Sequence, residues 1–299
     1  KSGAHGGSIW KTAWIDDKTL VTASVDETVK LWNLSRSDDK TFSLSLASSL
    51  PNNHLGAVGL SVHPQSSLVA VSNLDSSIKI WSSKDGSLVR EIDSFGSDNS
   101  GDTWDIDIDP KGETIVSSTC NGKLNFWSIS SGSLSLSLQS NTKSPFLSIA
   151  FSPDGQKIAA GDALGHITMY DATTGSEIDK ITAHNLAIRD ICFSADGSLL
   201  YSASKDNYVN VFEVEGCAMV ASLSGHQSWV LSVAAPSSGR QFASSSSDRT
   251  VKIWDVGQRA CIQTLKDVHS DKVWSVAFSP SDLLASSSDD ASLQIYAPQ

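Results

Sequence analysis

Hydrophobic positions along the chain fall in short runs of β-type character. Leu20 to Ser24, Val29 to Trp32 and Val273 to Phe278 are examples, separated by Pro-Asp-Gly, Ala-Asp-Gly and Ser-rich turns. No stretch carries the 3.6-residue apolar period of an amphipathic helix. The runs return as a block: Ser-Val-Asp-Glu-Thr-Val-Lys-Leu-Trp-Asn over 24–33 reappears as Ser-Ser-Asp-Arg-Thr-Val-Lys-Ile-Trp-Asp over 246–255. Aligned on the closing aromatic, the copies end at Trp32, Trp81, Trp127, Tyr170, Phe212, Trp254 and Tyr296, with spacings of 49, 46, 43, 42, 42 and 42 residues. Four short strands per copy and no helix predict an all-β, seven-bladed β-propeller that fills residues 1–299 as a single domain. The longest interruption, Ser35 to Asn53, still alternates at Phe42-Ser-Leu-Ser-Leu and reads as an outer strand. After Tyr296 only Ala-Pro-Gln follows, so the outer strand of blade 7 has to come from before His5. Either residues preceding Lys1 supply it or ring closure is weak.

A second mark is a His placed 21 or 22 residues before an Asp: His5 with Asp26, His54 with Asp75, His184 with Asp206, His226 with Asp248 and His269 with Asp290. In blades 1 and 6 the set is complete, with Ser24 and Ser246 two residues before the Asp and Trp32 and Trp254 six after it. The composition matches a Ser-His-Asp hydrolase triad. A triad occurs once per active site, however, whereas this set recurs around the ring, so it reads as a hydrogen-bonded clasp that also satisfies a buried indole N–H. Blade 2 carries Asn73 in place of the Ser, blade 3 has Asn99 and Asn121 at the His and Asp positions, and blade 4 has Thr142 and Leu164. Packing is expected to hold blades 3 and 4. His63 and His166 read as surface-loop residues, and the Asp-rich stretch Asp102 to Asp109 as a half-buried strand with solvent-facing carboxylates.

Five of the nine tryptophans are absorbed by the core: Trp32, Trp81, Trp127 and Trp254 close blades, and Trp14 fills the position of Phe151, Phe193 and Phe278. Counted from the His position, the fourth residue onward reads Ile9, Val58, Thr103, Phe146, Ile188, Val230 and Val273, a buried column. Alternation turns its neighbours the other way, toward the mouth of the central channel. Trp10, Trp104 and Trp274 follow the column and Trp229 precedes it, so four indoles are expected on one rim with Leu147, Leu231 and Arg189. Such a rim is an interaction site for partner proteins or a plug of the channel mouth. A third use, stacking of single-stranded RNA, is disfavoured by charge.

Charge and composition narrow the class. Lys and Arg number 22 against 33 Asp and Glu, a net charge of -11 that argues against direct nucleic-acid binding. No apolar run approaches the length of a membrane helix, and Lys1-Ser-Gly-Ala-His5 has no apolar signal core, which predicts a soluble protein without membrane contact. The chain begins without Met, so targeting information upstream of Lys1 would not be visible. Cys120, Cys192, Cys217 and Cys261 have no metal-ligand spacing and fit a reducing, intracellular compartment. No phosphate loop, HExxH, GxSxG or paired-carboxylate motif is present, so no catalytic residue, metal or cofactor is expected.

Ile9-Trp-Lys-Thr-Ala-Trp14, His54-Leu-Gly-Ala-Val58, Trp104, Phe146 to Pro153, Ser228-Trp-Val-Leu-Ser-Val233 and Val273-Trp-Ser-Val-Ala-Phe278 resemble the WD-repeat subunit of the superkiller (Ski) complex, over all seven blades. The resemblance implies a non-catalytic scaffold in cytoplasm and nucleus. It would bind a TPR-containing protein and an RNA helicase in the complex that feeds RNA to the exosome for 3'-5' decay. The same family subunit belongs to the RNA polymerase II-associated factor complex in animals and plants, and joins meiotic double-strand-break machinery in fungi. The family's rim reads short Gln-Arg-x-x-hydrophobic motifs; Trp10, Trp104, Trp229 and Trp274 match its aromatic positions, and Asp102 or Asp289 is assigned to the motif's Arg. The alternative is a histone-tail reader of a chromatin complex, which requires three rings converging on a methylated Lys, or an acidic pocket for Arg.

Overall fold

A computed structural model describes residues 1–36, 42–50, 55–94, 102–239 and 241–297. His54 and Asn99, the predicted His positions of blades 2 and 3, lie outside the described residues. Among the described residues, twenty-seven strands form seven antiparallel sheets, six of four strands and one of three, each built from consecutive strands. This is the seven-bladed β-propeller. The innermost strands are Ile9–Trp14, Ala57–His63, Thr103–Ile108, Phe146–Phe151, Ile188–Phe193, Val230–Ala234 and Val273–Phe278. The strand Phe42–Leu50 is the outermost of blade 1. In blade 7, Leu293–Tyr296 bonds outward to the first residues of the chain: Leu293 N–H donates to Lys1 O at 2.9 Å and Ala4 N–H to Ala291 O at 3.0 Å.

Burial runs outward from the axis. The second strand of a blade is buried on both faces, as in Lys157–Asp162, while the fourth, as in Glu177–Thr182, is largely exposed. Blades converge at the axis, so the second strands use small residues. At Gly161 an added Cβ would lie 2.7 Å from both Ile188 and Ile191 of the next blade. The apolar core is accordingly a ring of seven clusters, each shared by two adjacent blades. One joins Val21, Leu31 and Leu50 of blade 1 to Leu60, Val69 and Trp81 of blade 2. Another joins Ile9, Trp14 and Trp32 of blade 1 to Ala285 and Leu293 of blade 7 and closes the circle.

Polar clasps hold the turns to this core. In blade 6, His226 Nδ1 lies 2.9 Å from Asp248 and Nε2 2.8 Å from Ser244 Oγ, which accepts Trp254 Nε1–H at 2.8 Å. Blade 1 repeats this with His5, Asp26, Thr22 and Trp32. Blade 5 uses His184, Asp206 and Ser202, and in blade 7 Tyr296 OH replaces the indole at Ser286. The hydroxyl that bridges His to Trp is therefore four residues before the Asp. This corrects the placement of Ser24 and Ser246: they donate to Ser8 O and Ser228 O and accept the N–H of Asp26 and Asp248, securing the turn. Four residues back brings the side chain inward past one full strand alternation, where His and Trp meet. Blade 2 has Val71 at that position, and Trp81 Nε1 has no acceptor among the described residues. Thr22 and Ser244 are fully buried and engaged on both sides, so neither can reach a substrate carbonyl.

The Asp has a second task. Asp26, Asp75, Asp206, Asp248 and Asp290 each accept the N–H two residues on, and the intervening Glu27, Ser76, Asn207, Arg249 and Ala291 all have positive φ. A left-handed non-Gly residue costs about 1–2 kcal/mol, which the Asx turn offsets. Blades 3 and 4, with Asn121 and Leu164 at the Asp position, place Gly122 and Gly165 next, where that conformation carries no side-chain penalty. Two other histidines are not surface-loop residues. His63 is buried at a strand end, bonded to Pro110 O at 3.0 Å, and His166 opens a strand and pairs with Asp162 at 3.1 Å. Each has a polar partner, which for His63 offsets the cost of burial.

Two predictions follow from the clasp. Ser244→Ala strips His226 and Trp254 of their shared partner and is expected to cost about 2–4 kcal/mol in chemical denaturation, against about 1 kcal/mol for Ser246→Ala, whose partners lie near water. Equal losses would return the bridging role to Ser246. Burial foremost pushes His5 down to about 4, although Asp26 opposes it. Its contribution, about 3 kcal/mol, is fully present above the unfolded value near 6.5 and is lost as pH falls through about 4. Subtracting the pH profile of His5→Gln isolates this contribution from buried carboxylates that titrate in the opposite sense.

Candidate functional site

Every innermost strand carries one extra residue immediately after its first paired position. In blade 1 Ile9 pairs with Ser24 and Lys11 with Ala23, leaving Trp10 as the β-bulge. Equivalent register shifts leave out Val58, Leu147, Arg189, Leu231 and Trp274, and in blade 3 the shift spans Trp104. A bulge re-aims the side chain it inserts, and seven bulges at one level aim seven side chains at the mouth of the channel. Trp10, Val58, Trp104, Leu147, Arg189, Leu231 and Trp274, with Lys11 and Asp105 beneath, enclose only about 30 Å³. That volume holds about one water. Trp10 and Trp274 pack with centroids 5.1 Å apart, Arg189 lies over Trp104 at 5.5 Å, and Trp274 Nε1–H donates to Asp289 at 2.9 Å.

The structure moves one expected rim residue, Trp229, out of the ring and brings in one residue, Val58, that was expected in the buried column. Blade 2 is one residue short after its His position, so Ala57 takes the buried column and Val58 joins the ring. Trp229 precedes the first paired residue of its strand and stands apart from the ring, 48% exposed, with Lys205 Nζ 4.5 Å from its ring. Asp102 is exposed beside Trp104, reached by Ser76 Oγ at 3.5 Å, and Asp289 is shared between Trp274 and Lys272. The cations on Trp104 and Trp229 come from the protein itself, and the three ring indoles leave no space for a methylated Lys between them.

Below the ring the Asp-rich strand departs from the expected solvent-facing arrangement. Asp105 is buried, and Lys11 Nζ reaches it at 3.3 Å and Asp190 at 3.7 Å. These carboxylates complete the free edges of neighbouring blades: Asp105 accepts Ile149 N–H at 3.2 Å, Asp190 accepts Val233 N–H at 3.0 Å, and Asp107 accepts Phe151 N–H at 2.8 Å. Ser232 and Ser275 do the same for Val276 and Thr12. An innermost strand has no further strand to pair with, so its inward N–H groups need side-chain acceptors. Burial pushes Asp107 up to about 6, and burial likewise raises Asp105 against the pull of Lys11. Desolvation would lower Lys11, but Asp105 and Asp190 overcome it and hold the ammonium charged.

Lys11, Val58, Asp105 and Asp190 were not among the sequence candidates. Their signal was faint: in the column after the bulge, Lys11 stands among Gly59, Asp105, Ser148, Asp190, Ser232 and Ser275 as the one cation. The wider lower channel, about 340 Å³, and a groove of about 480 Å³ between blades 3 and 4 lie away from the ring. Among the described residues no three His, Cys, Asp or Glu side chains converge as a metal site.

The profile of the WD domain, G-beta repeat, matches residues 2–33, 45–82, 132–171, 175–213, 217–255 and 259–296. The unmatched interval contains Asn99 and Asn121, yet its strands still form a blade. The chain is 34% identical over 206 residues to the WD repeat-containing protein VIP3 of Arabidopsis thaliana, covering 63% of this chain and 61% of that protein. It is 30% identical over 193 residues to the WD repeat-containing protein SL1-17 of Schistosoma mansoni, covering 63% and 60%. With the meiotic recombination protein rec14 of Schizosaccharomyces pombe it shares 28% identity over 167 residues, covering 55% and 51%. The matched region thus spans between half and three fifths of these relatives.

The lysine beneath the ring yields a test. Lys11→Met leaves Asp105 and Asp190 facing each other in a desolvated channel and is expected to destabilise the fold by about 3 kcal/mol at neutral pH. The loss should shrink on acidification, as Asp105, raised by burial, takes up a proton. A pH-independent loss in denaturant titrations would mean that Lys11 contributes through packing alone.

Proposed function

The chain belongs to the WD40 family of G-beta repeat proteins, and we propose that it is a non-catalytic scaffold that seats a linear segment of a partner protein on the bulge ring. One observation carries this reading: seven bulges gather three indoles and a guanidinium at a single mouth, and Trp and Arg are the side chains most enriched at binding hot spots. A ring that served packing alone could be filled by aliphatic side chains, as Val58, Leu147 and Leu231 fill their places.

The assembly we propose is the Ski complex, with a TPR-containing protein and an RNA helicase as partners in exosome-linked decay. The RNA polymerase II-associated factor complex is a second assembly, which places the protein in both cytoplasm and nucleus. The resemblance of Ile9 to Trp14, Trp104 and Val273 to Phe278 to that family's subunit supports this, and similarity to a protein named for meiotic recombination agrees with the family's fungal role. Trp229 and Asp289 extend the surface at blades 6 and 7, and Asp102 borders it at blade 3.

Single Ala substitutions of Trp10, Trp104 or Trp274 are expected to weaken binding of a fluorescein-labelled Gln-Arg-Ala-Ala-Leu peptide by about 2 kcal/mol, roughly 30-fold. Fluorescence anisotropy and melting curves, run in parallel, separate the two roles of the ring. Variants that melt much earlier yet bind like the parent when folded would reduce the ring to a plug.

A further inference from the structure

Resting on that reading, we propose that the bound segment carries a side-chain carboxylate, held between Arg189 and Lys205, with an apolar side chain beside it against Trp229 and Leu186. Arg189 is the one cation among the seven bulge residues. Its Nε is buried without a partner, and the side chain makes no hydrogen bond or ion pair among the described residues. The carboxylates nearest to it are already engaged, Asp105 and Asp190 with Lys11 and with the N–H groups of Ile149 and Val233. A guanidinium presents five donors in a planar fork, so a half-buried one with none used is primed for an oxyanion.

Lys205 supplies the second cation. Its N–H donates to Ala187 O at 3.0 Å, which ties the blade 5 turn to the loop bearing Leu186, and its Nζ rests over Trp229 with no ion pair among the described residues. Burial lowers Lys205, and the charge of Arg189 lowers it further. An anion between the two would relieve both. Flanking them, Leu164, Leu186 and Trp229 are 57%, 51% and 48% exposed, an apolar arc from blade 4 to blade 6. Two isolated cations framed by apolar side chains suit one carboxylate in a hydrophobic peptide. A nucleic-acid backbone needs a track of cations, and the net charge of -11 repels one elsewhere.

The test walks a single Glu, with a Gln control at each position, through the two Ala residues and the flanks of the labelled Gln-Arg-Ala-Ala-Leu peptide. One register should bind about tenfold more tightly than its Gln control. Arg189→Gln and Lys205→Gln should each abolish most of that gain, bringing the Glu peptide to the affinity of its Gln control, and added salt should diminish it. Lys205→Gln guards against a folding defect, since Lys205 does not pack in the ring. The inference falls if no register gains, if the gain survives both substitutions, or if short polyuridine displaces the peptide. Should it fall while the Trp variants still weaken the parent peptide, the aromatic ring keeps its role. If neither the parent nor any Glu peptide binds, both readings fall.

Discussion

A sheet that is apolar on both faces cannot be left without a neighbour on either side, and everything else in this protein depends on that requirement. Each of the seven core clusters belongs to two blades, so no blade owns a core of its own. The only arrangement that covers every face is a closed circle. Closure falls to the cluster of Ile9, Trp14 and Trp32 with Ala285 and Leu293, reinforced by Trp14 Nε1–H donating to Ala277 O and by the first residues bonding to Leu293 and Ala291.

Closing the circle creates an inner wall of strand edges, and that wall dictates the chemistry of the channel. Inward N–H groups must find acceptors, and Asp105, Asp107, Asp190, Ser232 and Ser275 of one blade serve the next. Placing carboxylates there accumulates negative charge in a desolvated space, which Lys11 offsets. Gly59 shows how tight the seam is, since a Cβ at that position would lie 2.4 Å from Ser72 Oγ and 3.2 Å from the Asp105 backbone. The bulges sit at the upper end of this wall and turn a structural necessity into a surface. The same register shift that ends regular pairing lifts Trp10, Trp104, Arg189 and Trp274 to the mouth.

The clasps and the turns show how unequal repeats reach one geometry. Where an Asp is present it accepts the turn N–H and, in blades 1, 5, 6 and 7, pairs with a His, so a left-handed Glu27 or Arg249 is tolerated. Blades 3 and 4 instead place glycine at the strained position, at the expense of chain entropy.

Much of this was legible in the sequence because it is periodic. The closing aromatics and the His-to-Asp spacing are local patterns, and they determined blade number, strand order and the recurrence that excludes a hydrolytic triad. The buried column from Ile9 to Val273 was legible for the same reason, except at blade 2, where one missing residue slips the count. What the tertiary structure decided is whatever depends on two blades at once or on a departure from strict alternation. Period-two reasoning cannot register a bulge, so it placed Trp229 beside Trp10 and counted Val58 into the buried column. It also read Asp105 as solvent-facing, because the partners that bury it, Lys11, Ile149 N–H and Asp190, lie on other blades and come together only when the ring closes.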